Sequence, residues 1–197
     1  MKNHFAPISK IPSDIFSLIP GYLEDHDVDE NLITMTHVCR GWRELLIARP
    51  SLWVRLYCES TDKTRVYIER SKSAPLELVL VKCGNVAYLE DAFRSVAPHI
   101  SRLKSLIIIG PMDLFQTLTQ HISCPLPLLR ELTIKLINNP AHVFENPLFN
   151  GDLPSLCSLH LAGVITHLPR NNLSKLTTFK LSRVLEDKIS ITASRLL

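Results

Sequence analysis

Two hydrophobic rhythms divide this chain. In the first 53 residues apolar positions recur at helical spacing: Ile15, Phe16, Ile19, Tyr22 and Leu23 follow Pro12. Met35, Val38, Cys39, Trp42, Leu45 and Leu46 then repeat at i, i+3, i+4 and i+7. The spacing predicts a helix over 14–19, with Ser13 as N-cap and Asp14 at its positive end. Pro20-Gly21 should stop or kink it, because proline removes a donor and clashes with the preceding turn. A second helical region is expected over 30–48, broken near Gly41, since glycine costs about 1 kcal/mol against alanine. Pro50-Ser51-Leu52-Trp53 closes the segment with a turn, and Trp42 and Trp53 are expected in its core.

From Leu76 onward the rhythm changes to alternation. Leu76, Leu78 and Leu80 give one apolar strand face. Four later segments fit Leu-x-x-Leu-x-Leu with Ile or Phe allowed: Leu103, Leu106, Ile108; Leu129, Leu132, Ile134; Leu156, Leu159, Leu161; and Leu176, Phe179, Leu181. Their first leucines stand 26, 27 and 20 residues apart, within the roughly 20–29 of leucine-rich repeats. Helical patterns fill 86–100 and 112–121, whereas 138–152 and 164–172 read as loops or short turns. Strand, helix, strand, helix predicts a parallel sheet with helices outside. Between the two rhythms, 62–71 reads as a helix capped by Ser60 or Thr61, and the residue before Pro75 breaks it. After Leu181, the apolar positions from Val184 to Leu197 are expected to form a capping element or a truncated next repeat. The predicted fold class is α + α/β: a helical module over 1–58, a connector over 59–75, and a leucine-rich-repeat-like domain over 76–197.

Composition narrows the function. The 197 residues are 46% hydrophobic and 21% charged, with net charge +3, so the chain is globular and too weakly basic to argue for nucleic acid. Five cysteines lie far apart without a CxxC. Free thiols in a reducing compartment follow, with Cys39 expected as a buried structural thiol. Neither a signal-peptide core nor a membrane-length apolar run occurs. Asp25, Asp27 and Asp29 alternate like a calcium loop, but Glu30 and Thr36 stand where glycine and a bidentate glutamate are needed. The eight histidines form no HExxH, and no GxSxG, P-loop or GxGxxG is present. No enzyme activity, cofactor or metal is expected.

The order Ile11-Pro12-Ser13-Asp14-Ile15, then Val38-Cys39-Arg40-Gly41-Trp42-Arg43, then Pro50-Ser51-Leu52-Trp53 resembles the F-box, the module that docks substrate receptors onto the adaptor subunit of cullin–RING ubiquitin ligases. Ile11 and Asp14 stand where the family has leucine and glutamate. The repeat region resembles the irregular leucine-rich repeats found behind an F-box, without their asparagine: Pro111, Ile137, Val164 and Val184 occupy that place. The resemblance implies an intracellular receptor, nuclear or cytoplasmic, that holds a protein substrate near a charged conjugating enzyme. It implies adaptor contact through Ile11, Pro12, Ile15, Ile19 and Leu23, with Leu32, Val38 and Trp42 in support. Residues between the repeat leucines point to the opposite, concave face, which nominates Ile107, Ile109, Thr133, Lys135, His160 and Lys180 for the substrate, an acidic or apolar segment. A repeat scaffold that no longer recruits a ligase is the alternative, and Pro20-Gly21 is the feature that favours it.

Overall fold

The computed structural model describes residues 11–12, 15, 18–22, 28–58, 60–81, 86–122, 125–137, 142–144, 148–166, 175–182 and 190–194. By contact the chain separates into two compact units, 1–52 and 53–197.

In the first unit, α1 (Val28–Val38) and α2 (Arg40–Ile47) pack together, and α1 also meets a 3-10 turn at Ile19–Tyr22. That turn contains Pro20-Gly21: Ile15 is helical, Leu18 lies in a turn and the chain is in 3-10 geometry at the proline, where a stop or kink is expected, and Pro20 itself is buried. The break between the long helices falls at Cys39, not at Gly41. Cys39 is extended (φ −159°, ψ 168°) and serves as N-cap to α2, while Gly41 sits in the first turn. Because the chain steps out of the helix at Cys39, its thiol is exposed, which corrects the expectation of a buried one. Two bonds hold the break in place. The Arg43 amide donates to the Cys39 carbonyl at 3.1 Å, and Arg43 Nε donates to the Thr36 carbonyl at 2.9 Å. Leu32, Thr36 and Leu46 form the buried part of the pair.

The second unit is built on a seven-stranded sheet. Its strands are β1 (Arg55–Leu56), β2 (Leu76–Val81), β3 (Leu103–Gly110), β4 (Glu131–Leu136), β6 (Ser158–Ala162), β8 (Thr178–Ser182) and β9 (Ser190–Ser194), hydrogen-bonded in that order. The first six run parallel, and β9 returns antiparallel to β8. Helix α3 (Thr61–Ser71) joins β1 to β2. Helix α4 (Val86–Val96) with a 3-10 turn at Ala97–Arg102 joins β2 to β3, and α5 (Met112–His121) joins β3 to β4. The later connections carry no helix among the described residues. They hold β5 (His142–Phe144), β7 (Val164–Thr166) and a 3-10 turn at Leu148–Gly151, and β5 pairs parallel with β7 in a second small sheet. The sequence pattern predicts loops or short turns where these two short strands lie. They form because Gly163 turns sharply at φ 70° after β6, its amide donating to the Ser182 carbonyl and its carbonyl accepting from the His142 amide.

The leucine pattern sets the register. Leu78, Leu106, Leu132, Leu159 and Phe179 stand side by side, as do Leu80, Ile108, Ile134, Leu161 and Leu181. Leu126-Pro127-Leu128-Leu129 and Leu153-Pro154-Ser155-Leu156 each make the same i→i+3 turn before their strands, at 3.1 and 3.2 Å. The chain enters each strand at a matching bond: Arg130 to Lys104, Cys157 to Arg130, Thr177 to Cys157. Burial is complete through β6 but only partial at Leu176, Phe179 and Leu181.

Helix α3 packs on β1 and α4. Its inward stripe is Thr64, Tyr67, Ile68 and Ser71, helical spacing with two hydroxyls in it. Both hydroxyls donate back along the helix, Thr64 to the Ser60 carbonyl at 2.8 Å and Ser71 to the Ile68 carbonyl at 2.8 Å, so their burial leaves no orphan donor. Trp53 is wholly buried in this unit, edge-on to Tyr67 with centroids 5.0 Å apart, and Arg70 lies over its ring at 4.3 Å.

Candidate functional site

Each unit presents one candidate surface. On the first unit it is apolar. Ile15 is 52% exposed, Leu18 53%, Val38 58% and Leu45 37%, and Ile11, Ile19 and Trp42 are half-buried. For a unit of some 50 residues this is a large exposed hydrophobic share, of the kind that marks a protein–protein contact. Of the residues nominated from sequence, Ile11, Ile15, Ile19, Val38 and Trp42 reach the surface, as does the exposed Pro12. Leu32 is 1% exposed and supports the surface from inside. Leu23 lies outside the described residues, as do Asp25 and Asp27 of the acidic stretch. Leu18 and Leu45 were missed. Leu45 shares its helical stripe with Leu46, and periodicity alone does not say that Leu46 takes the interior and Leu45 the outside.

On the second unit the surface is the sheet face opposite the leucines. Register arranges it in three rows. Glu77, Ser105, Glu131, Ser158 and Thr178 form the row nearest the strand starts. Val79, Ile107, Thr133, His160 and Lys180 form the middle row, and Val81, Ile109, Lys135, Ala162 and Ser182 the row toward the strand ends. All six nominated residues therefore share one face, and Ile107, Thr133, His160 and Lys180 are direct neighbours across four strands.

Its charges are segregated. At the strand starts Lys104 Nζ lies 4.0 Å from Glu77, and the Ser105 hydroxyl donates to Glu131 at 3.4 Å. Toward the strand ends Lys135, His160 and Lys180 cluster, and none has a carboxylate partner among the described residues. Burial first, then the Lys135 and Lys180 ammonium groups, hold the His160 imidazole below the ordinary histidine value. It is therefore neutral near pH 7, flanked by two positive charges.

Elsewhere, Arg102 ties the end of α3 to the turn after α4. Its Nε and Nη2 donate to the Ala74 carbonyl at 3.1 and 2.7 Å, and Nη2 to the Ser71 hydroxyl at 3.0 Å. His99 stands 3.4 Å from Arg102 and is lowered by burial and by that charge. No group of three or more metal-ligating side chains occurs among the described residues, and no helix among them is long and apolar enough to cross a membrane.

Residues 8–59 match the F-box-like family model. The F-box-like domain thus spans the apolar first unit and runs on through Trp53 into the first strand of the second. It supports an F-box protein, a class that in general serves SCF-type ligases as substrate receptors. No curated protein and no solved structure matches the chain.

Proposed function

We propose that this protein is the substrate-receptor subunit of an SCF-type cullin–RING ubiquitin ligase. The first unit docks on the adaptor subunit, and the second holds a protein substrate against the sheet face. The observation that carries the reading is the F-box-like domain over 8–59 together with the exposed apolar side chains Ile15, Leu18, Val38 and Leu45 on that segment. Ile11, Pro12, Ile15 and Ile19 make the adaptor contact, Val38 and Trp42 extend it, and Leu32 holds the helices beneath. The receptor does no bond-making chemistry. It raises the effective concentration of substrate lysines near a charged conjugating enzyme bound to other subunits. Its place of action is intracellular.

We read residues 76–197 as an irregular leucine-rich-repeat-like domain. Support comes from the matching strand-entry bonds at 104, 130, 157 and 177 and from the recurrent Leu-Pro-x-Leu turns. The test is co-expression with an adaptor subunit followed by size-exclusion chromatography, for wild type and for an Ile11→Asp/Pro12→Ala/Ile15→Asp variant. A one-to-one complex with wild type alone is expected. A folded wild-type protein that elutes free of adaptor overturns the proposal.

A further inference from the structure

The sheet face of the second unit is divided along two directions. Across the strands it passes from apolar to cationic: the exposed Val81 and the half-buried Ile107 and Ile109 on β2 and β3, then Lys135 and Lys180 on β4 and β8 with the neutral His160 between them on β6, while Val79 is buried. Along the strands it passes from carboxylate to cation, with Glu77 and Glu131 at the starts. Lysines on a sheet often guard an open edge, but β4, β6 and β8 are each paired on both sides. Edge protection therefore explains none of the three. Nor is there internal neutralisation among the described residues, because the two acids of the face are engaged at the other end by Lys104 and Ser105. Within the cationic part, Ala162 and Ser182 are the smallest side chains of their row.

We infer that this face binds an extended protein segment that carries apolar residues at one end and a run of aspartates or glutamates at the other, laid across the strands. The assignment names the substrate class of the receptor proposed above and rests on that reading. The dimensions are set by the sheet. β2 to β8 spans four strand intervals of about 4.8 Å, about 19 Å, which six extended residues at about 3.3 Å each cover. From Ile107 to Lys180 is three intervals, so the apolar anchor and the first acid stand about four positions apart. The acid run is kept toward the strand ends by Glu77 and Glu131, whose charge repels it. Carboxylates fit better than a single phosphate. The cations are two lysines, on β4 and β8, with the neutral His160 imidazole between them on β6, and there is no arginine fork to grip one tetrahedral anion in a bidentate manner.

The probe is a fluorescein-labelled peptide, Ile-Val-Gly-Ser-Asp-Glu-Glu, titrated with the full-length chain near neutral pH and read by anisotropy. Saturable binding is expected. It should weaken about tenfold when the three acids become Asn-Gln-Gln, and about as much in a Lys135→Gln/Lys180→Gln variant. It should weaken further as salt rises from about 0.05 to about 0.3 M. Ile107→Ser should weaken it several-fold independently. The charge variant alters half-exposed or exposed side chains, and an unchanged thermal melt confirms its fold. Absence of binding, indifference to the lysines, or equal binding of the amide peptide overturns the inference. So does tighter binding of Ile-Val-Gly-Ser with a terminal phosphoserine, which would give the face to phosphate. The Lys135→Gln/Lys180→Gln protein should still form the adaptor complex, so failure here and failure of the receptor reading are separable.

Discussion

Replacing Trp53 by alanine tests whether the last residue of the F-box-like pattern is a core residue of the second unit. The side chain is 0% exposed. Burying an aromatic of this size removes about 150–250 Å² from water, worth about 4–6 kcal/mol at 25 cal/mol per Å². Its edge-on contact with Tyr67 at 5.0 Å and the Arg70 guanidinium at 4.3 Å add about 0.5–1.5 and 0.5–1 kcal/mol. Partial relaxation of the cavity brings the expected loss for Trp53→Ala to about 3–5 kcal/mol, a lowering of the second unit's melting temperature by roughly 10 °C. The chain has only two tryptophans, one in each unit. In a Trp42→Phe background, Trp53 emission therefore reports unfolding of the second unit alone. Urea titration by fluorescence for Trp42→Phe, and by circular dichroism for Trp53→Ala, gives the difference. A double-mutant cycle with Tyr67→Leu should return a coupling of about 1 kcal/mol. A loss below about 1 kcal/mol for Trp53→Ala would refute the packing argument, since no buried aromatic in a close-packed core is that dispensable.

Three further outcomes follow from particular contacts. Gly41→Ala should raise stability by about 0.5 kcal/mol in a thermal melt, because an added Cβ meets nothing within 4 Å and α2 gains a better helix former. Arg102→Met should cost about 2 kcal/mol in urea unfolding, since the Ala74 carbonyl and the buried Ser71 lose a charged donor. The same substitution should let His99 titrate at higher pH by NMR. His160 is lowered below its unfolded value of 6.5 by burial, then by Lys135 and Lys180, and Glu131 is the acid diagonal to it on β4. The unfolded chain thus takes up the proton first, so stability should fall as pH drops through about 6.5 and be unaffected above it. His160→Gln should flatten that slope.

Much of the second unit was legible in the sequence because parallel strands in a leucine ladder repeat a local rule. Strand β2 and helix α5 fall where the patterns placed them, over Leu76–Val81 and Met112–His121. All six nominated face residues lie on one side, because strand alternation leaves no other choice once the leucines are buried. The errors came where backbone geometry, not hydrophobicity, decides. Cys39 looked like part of one helical stripe, yet its extended backbone ends α1 and exposes the thiol. Gly41 looked like the break, yet in a first helical turn a glycine is tolerated. Strands β5 and β7 are three residues each, too short for alternation to declare itself, and they exist through pairing with each other. On the first unit the apolar residues were visible but not their direction: Leu45 outside and Leu46 inside differ by one position in a helix.

The sheet of the second unit adds its strands in the order in which the chain is made. From β1 to β9, with the small ribbon aside, each strand lies beside the one before it. No strand waits for a distant partner to arrive. The closures between the parallel registered strands differ little in length, from 28 residues at Leu78–Leu106 to 20 at Leu159–Phe179, and that difference changes the loop-closure cost by only about 0.3 kcal/mol. A nascent chain can therefore lay down the sheet stepwise as it leaves the ribosome, each new strand templated by a finished neighbour. Strands β1 to β4, each joined to the next through a helix, come first, and β8, whose Phe179 and Leu181 are only half-buried, is added late.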